Sequence, residues 1–133
     1  MNTRIVVDTS VWIDFFIHPQ ASVTLQLKQL LRDRRVVLVG MVLAEILQGI
    51  KNPRESKQVR ETLKNLPFLE TPRTVWQRAG DLSAGLRRQG LTIPLSDLVI
   101  AATAIGEEAE VFTRDPHFEK VPGIKLYTFP ESV

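Results

Sequence analysis

Four acidic residues, Asp8, Glu45, Asp97 and Asp115, are the side chains best placed to do chemistry in this sequence. Asp8 closes a short β-branched run, RIVVD, and Asp115 lies two residues beyond Thr113, at the end of a later apolar run. Asp97 opens the apolar segment LVIAATAIG, and Glu45 sits within VLAEILQG, in the first turns of a helix expected after a second strand. In an open α/β sheet, groups at the carboxyl ends of strands and at the starts of the following helices converge on one crevice. Taken singly, three of the four have ordinary structural explanations. Asp8 could cap a helix, Asp97 could complement a helix dipole, and Asp115, followed by Pro116, could form a turn. Glu45 is harder to explain in this way, because it falls beside the apolar stripe of its helix, where an unpaired buried charge is costly.

Convergence of the four would have a chemical consequence. Two carboxylates about 4 Å apart repel by about 4 kcal/mol at an effective dielectric of 20, so a cluster requires protons or cations. No lysine or arginine directly adjoins Asp8, Glu45 or Asp97 in the sequence. An all-oxygen acidic site suits Mg²⁺ or Mn²⁺ better than Zn²⁺. Such an ion can bind a phosphodiester, generate hydroxide from water and neutralise the leaving oxygen.

The elements that must position these acids follow from the hydrophobic pattern. Arg4–Asp8 is predicted as a buried strand, followed by a helix over Thr9–Ile17 that starts at Asp8 or Thr9. Ala21–Arg34 has the stripe of an amphipathic helix, with Val23, Leu27, Leu30 and Leu31 on one side. Val36–Val39 is a second buried strand, and Gly40 opens a helix through Ile50. Asn52 and Pro53 form a helix start, cap followed by proline, for a helix to about Leu66. Phe68–Glu70 is a short strand, and Thr71-Pro72 begins a helix to about Gln89 that Gly90 closes. Pro94-Leu95-Ser96-Asp97 leads into Leu98–Glu108, whose body LVIAATAIG is apolar all round, as in a buried helix. Glu110–Thr113 is the third main strand and Lys125–Phe129 an edge strand. This alternation implies an α/β fold with a mostly parallel central sheet of about four or five strands and helices on both faces.

The composition fits such a domain. The 133 residues, 44% hydrophobic and 24% charged, suffice for one domain with its own core, expected to span 1–133. With no cysteine, disulfides, thiolate metal sites and cysteine nucleophiles are excluded, and a reducing cytoplasmic location is expected. MNTRIVVD reads as a strand start, without the apolar stretch of a secretory signal. No apolar run approaches the roughly 20 residues of a membrane span. Setting the four acids aside leaves 17 basic side chains against 11 acidic ones (15 less those 4), a balance suited to a polyanionic substrate.

Four segments, VVDTSVWIDFF, VLAEILQGI, LSDLVIAATA and TRDPHFEKVPGIKL, occur in an order and at separations that resemble PIN-domain ribonucleases, in particular VapC-type toxins of toxin–antitoxin pairs. The resemblance spans nearly the whole chain and implies a PIN-like fold. It also implies a Mg²⁺- or Mn²⁺-dependent endoribonuclease in which Asp8, Asp97 and Asp115 mainly hold metal. Glu45 would complete the site and position or deprotonate the attacking water. In-line attack on phosphorus would leave a 5′-phosphate and a 3′-hydroxyl. Ser10 and Thr113 fit as hydroxyls that orient the carboxylates. The implied partners are RNA, a VapB-type antitoxin that covers the acids, and a second copy of the chain in a homodimer that assembles into larger complexes. Gly40 stands where many relatives have Ser or Thr, which removes a local hydrogen bond but not the acids.

Other readings fit less well. A haloacid-dehalogenase phosphatase needs a second acid two residues after the first, where this chain has Ser10. A response-regulator receiver needs paired acids after its first strand and a strand-end lysine, and both are missing. A PIN domain that binds or processes RNA without an antitoxin is the main alternative. Among other residues, Arg114 is the basic side chain best placed to meet a phosphate. His117, two residues after Asp115, reads first as a loop histidine, with contact to substrate or metal as the alternative, His18 reads as a loop residue, and Trp12 and Trp76 as packing aromatics.

Overall fold

Three short strands carry almost nothing but β-branched and apolar side chains, and they form the centre of the molecule. A computed structural model describes residues 3–130. Strand β1 is Ile5–Val7, β2 Val36–Val39, β3 Phe68–Leu69 and β4 Glu110–Phe112. They form one sheet in the order β3-β2-β1-β4, with every neighbouring pair parallel. All residues of β1 and β2 are buried. Because successive strand residues face opposite sides, this burial means that both faces of the central sheet are covered.

The covering helices are α1 (Thr9–Ile17), α2 (Ser22–Arg32), α3 (Gly40–Gln48), α4 (Pro53–Leu63), α5 (Arg73–Arg88) and α6 (Leu95–Gly106). Helix α2 buries Val23, Leu27 and Leu30 of the stripe expected from the sequence, with Leu31 partly buried against the core. Helix α4 starts as its sequence indicates: the Asn52 side chain accepts the Glu55 backbone N–H at 2.8 Å, and Pro53 follows the cap. It ends at Leu63, a turn short of the expected Leu66. After α5, Gly90 has φ +81°, a left-handed conformation that glycine adopts without the cost of a Cβ. Helix α6 is buried continuously from Asp97 through Ala104 and packs against α3, α5 and β4.

Helix α6 begins at Leu95, three residues before the expected Leu98, and two larger differences lie near the C-terminus. The edge strand expected at Lys125–Phe129 is reduced to a single parallel bridge between Leu126 and Val111. There, Val111 N–H donates to the Lys125 carbonyl and Tyr127 N–H to the Val111 carbonyl, both at 2.8 Å. Strand β4 offers only three residues before the chain turns away at Thr113, so no longer ladder can form. The second difference is a 3₁₀ turn over Pro116–Lys120, anchored by the fully buried Phe118. Among the described residues, no helix is long and apolar enough to cross a membrane.

Truncating Ile100, fully buried in α6, leaves a cavity where the helix meets its neighbours. Ile100→Ala is expected to cost about 2–5 kcal/mol in urea-induced unfolding.

Candidate active site

The register of the sheet brings the first two site elements together. Val7 of β1 pairs with Phe112 of β4, so Asp8 and Thr113 leave the ends of adjacent parallel strands side by side. The Asp8 backbone N–H still reaches the Phe112 carbonyl at 2.8 Å. Asp8 occupies the N-cap position of α1, yet its carboxylate makes no cap hydrogen bond. Instead, Asp8 Oδ2 accepts hydrogen bonds from Ser10 Oγ and Thr113 Oγ1, each at 2.8 Å. The orientation of both hydroxyls is fixed from behind. Backbone N–H groups of Arg114 and Asp115 donate to Ser10 Oγ and Thr113 Oγ1 at 3.1 and 2.9 Å, which leaves each O–H proton to point at Asp8. Ser10 and Thr113, the two hydroxyls singled out in the sequence, thus both hydrogen-bond to Asp8, which is only 4% exposed.

Glu45, half-buried on α3, is held from α1. Thr9 Oγ1 donates to its Oε1 at 2.8 Å. In the sequence Thr9 marks only a helix start. The signal for its second role is the Thr-Ser pair directly after the strand-end acid, which supplies one hydroxyl to each of two acids.

Asp97 lies in the first turn of α6 and is 8% exposed. Its carboxyl is pushed up from 3.8 to about 6, chiefly by burial, then by the negative charges of Asp115, Asp8 and Glu45, with His117 acting in the opposite direction. Of the four acids singled out in the sequence, Asp97 thus feels the charge of the other three. Asp115 serves a local purpose as well, because its Oδ1 accepts the His117 backbone N–H at 2.9 Å and caps the 3₁₀ turn.

Of the two readings open for His117, the structure has the imidazole beside the acids. Its Nδ1 is 3.1 Å from Asp115 Oδ1 and 3.7 Å from Asp97 Oδ2. One donor atom from each of Asp97, Asp115 and His117 falls within a common span of 4.8 Å. Arg114 sits at the rim, where it pairs with Asp14 of α1 at 3.2 Å. A cleft of about 180 Å³, lined by Thr113, Arg114, Asp115, Glu119 and Tyr127, opens beside the acids. On another side, a groove of about 160 Å³ runs from Glu45 along Ile13, Ile17, Ile46 and Val59. Of the two tryptophans, Trp12 is fully buried against Phe15 and Phe16, while Trp76 is half-exposed on α5.

The donor set is chemically suited to a divalent cation. A buried carboxylate such as Asp97, whose proton affinity is raised by neighbouring negative charge, gains from a positive charge placed beside it, and oxygen donors match a hard ion.

Comparison with known proteins agrees with this architecture. Residues 5–124 match the PIN domain, and the chain belongs to the PIN-domain family. It is similar to the ribonuclease VapC11 of Mycobacterium tuberculosis, 26% identical over 124 residues that cover 90% of this chain and 92% of that protein. It also resembles the ribonuclease VapC2 of Rickettsia felis, 27% identical over 105 residues, 75% of this chain and 78% of that one. Among solved structures, the fold matches VapBC2 from Rickettsia felis bound to a DNA fragment from its promoter, with a TM-score of 0.80 and 24% identity over 95% of this chain and 98% of that one. DNA-bound VapBC from Salmonella typhimurium matches with a TM-score of 0.81 at 21% identity, again over 95% of this chain and 98% of that one.

The raised Asp97 carboxyl makes a stability prediction for protein stripped of divalent ions. The folded state holds the proton more tightly than the unfolded chain, so the group favours folding fully below about pH 4, and this contribution is lost as pH rises through about 6. Asp97→Asn, which mimics the protonated form, should therefore be the more stable protein at pH 8, by up to about 3 kcal/mol. The difference should vanish near pH 4. Urea unfolding of both proteins in EDTA at a series of pH values measures this crossover.

Proposed function

We propose that this protein is a divalent-metal-dependent endoribonuclease and the toxin of a toxin–antitoxin pair. The observation that carries the proposal is Asp97, buried at the mouth of α6 with the charges of Asp115, Asp8 and Glu45 all raising its affinity for a proton. Membership of the PIN-domain family and similarity to proteins named VapC ribonucleases support the substrate class.

Asp8, Asp97 and Asp115 would hold Mg²⁺ or Mn²⁺. When bound, the cation supplies neutralising charge for the phosphodiester and acidifies water at the site. The remaining chemistry belongs to the chain. Ser10 and Thr113 lock one oxygen of Asp8 and leave Oδ1 without a hydrogen bond among the described residues. Glu45, oriented by Thr9, accepts a proton from the attacking water. Attack on phosphorus opposite the 3′ oxygen leaves a 3′-hydroxyl and a 5′-phosphate. Arg114, exposed at the rim of the polar cleft, exchanges Asp14 for an RNA phosphate.

The groove running from Glu45 suits a protein partner. It is bordered by Ile13 and Ile17, which are 48% and 62% exposed, and such apolar surface is a natural docking site. The structures of similar fold contain VapBC complexes, which supports a VapB-type antitoxin as the partner. RNA as substrate supports a cytoplasmic location.

Purified protein is expected to cleave RNA with Mg²⁺ or Mn²⁺ and to stop when EDTA is added. Asp8→Asn or Asp97→Asn should lower the rate by about 10²–10³-fold while near-native circular dichroism is retained, a loss comparable to removing a key electrostatic group elsewhere. Full cleavage by either variant would overturn the proposed site. RNA retained without cleavage at saturating metal would favour a binding domain instead.

A further inference from the structure

The geometry points to His117 as a nitrogen ligand of the same cation, one that tilts the site toward Mn²⁺ over Mg²⁺; this rests on the nuclease reading above. Position comes first. Asp115 caps the 3₁₀ turn through the His117 backbone N–H, and Phe118, the next residue, is fully buried. The histidine's backbone is thus held by the Asp115 carboxylate on one side and anchored to the core through Phe118 on the other, although its own ring is half-exposed. That ring is not part of the hydrophobic core. It is turned toward two carboxylates, with Nδ1 at 3.1 Å from Asp115 Oδ1 and 3.7 Å from Asp97 Oδ2.

Spacing comes second. Donors at neighbouring corners of an octahedral ion with bonds of about 2.1 Å stand about 3 Å apart, and opposite donors about 4.2 Å apart. The separations between Nδ1 and the two carboxylate oxygens fall between those values, and one donor atom from each of the three residues fits within 4.8 Å. A small movement of the side chains would close the three around a common ion.

Chemistry decides the preference. Mg²⁺ demands oxygen donors and gives up its waters reluctantly. First-row transition ions accept imidazole readily, so replacing one water by a ring nitrogen stabilises them relative to Mg²⁺. Mn²⁺ is the member of that series that also suits a carboxylate-rich site.

The test uses untagged, full-length protein freed of metal, and Mn²⁺ as the probe. The electron paramagnetic resonance signal of free Mn²⁺ gives its affinity, and calorimetry gives that of Mg²⁺. His117→Ala is expected to weaken Mn²⁺ binding by about 10–100-fold, with Mg²⁺ binding changed by less than about threefold. Pulsed electron paramagnetic resonance should detect nitrogen coupling to Mn²⁺ in the parent protein and lose it in His117→Ala. Unchanged Mn²⁺ affinity, equal losses for both metals, or absence of nitrogen coupling in the parent would overturn the assignment of His117. Failure of the nuclease site reads differently: Asp97→Asn would then bind Mn²⁺ as the parent does. A parent protein that binds neither ion would overturn both.

Discussion

Asp97 carries its carboxyl at the mouth of a buried helix with three further acids acting on it, and the scaffold must hold these groups together against their repulsion. The resistance comes from apolar packing. Helix α6 is buried over eight consecutive residues, so Asp97 cannot retreat without exposing Leu98 through Ala104 to water. Strand β1, with Ile5 and Val6 fully buried, fixes Asp8 equally firmly. Position in the first turn of α6 returns part of the cost, since the helix dipole favours negative charge there. The site is thus a case of local electrostatic destabilisation sustained by the core around it.

Hydroxyl groups do the fine positioning. Thr9, Ser10 and Thr113 are neutral and short, so they orient carboxylates without cancelling the charge that a cation would answer. Each also ties two elements together: Thr9 joins α1 to α3, while Thr113 links the end of β4 to the end of β1. A lysine in any of these places would fill the crevice with a permanent positive charge and compete with a metal ion. Asp115 shows a different economy, because one carboxylate both caps a turn and faces the other acids.

Much of this arrangement is legible in the sequence because it follows from periodicity and punctuation. The β-branched runs before Asp8 and at Val36–Val39, the apolar stripe of α2 and the Asn52-Pro53 helix start all report local physics, and the structure has these elements within a few residues of the expected ends. The four acids could be singled out because strand ends and helix starts in an α/β sheet point to one edge. What remained hidden depends on three-dimensional register. Nothing in the order Asp-Pro-His indicates that the 3₁₀ turn brings the imidazole back to Asp97, twenty residues earlier in the chain. The Thr9–Glu45 bond likewise requires knowing that α1 and α3 lie side by side. The edge strand is shorter than its pattern suggests because alternation in KLYTF marks residues able to pair, whereas the three-residue length of β4 determines how many do.

The short crossing of the C-terminal segment over β4 has a bearing on how the molecule behaves in company. An open parallel sheet presents unpaired backbone groups at both borders, and such borders recruit other chains. Here one border is β3, only two residues long and preceded by Pro67, which lacks an N–H to offer. At the other border the central residue of β4, Val111, has its N–H and carbonyl taken up by Lys125 and Tyr127, and Tyr127 and Phe129 pack on Phe112 beyond it. Neither side gives an incoming strand a long template. The protein can therefore keep an apolar groove open beside its acids while its sheet stays closed to strand-by-strand aggregation.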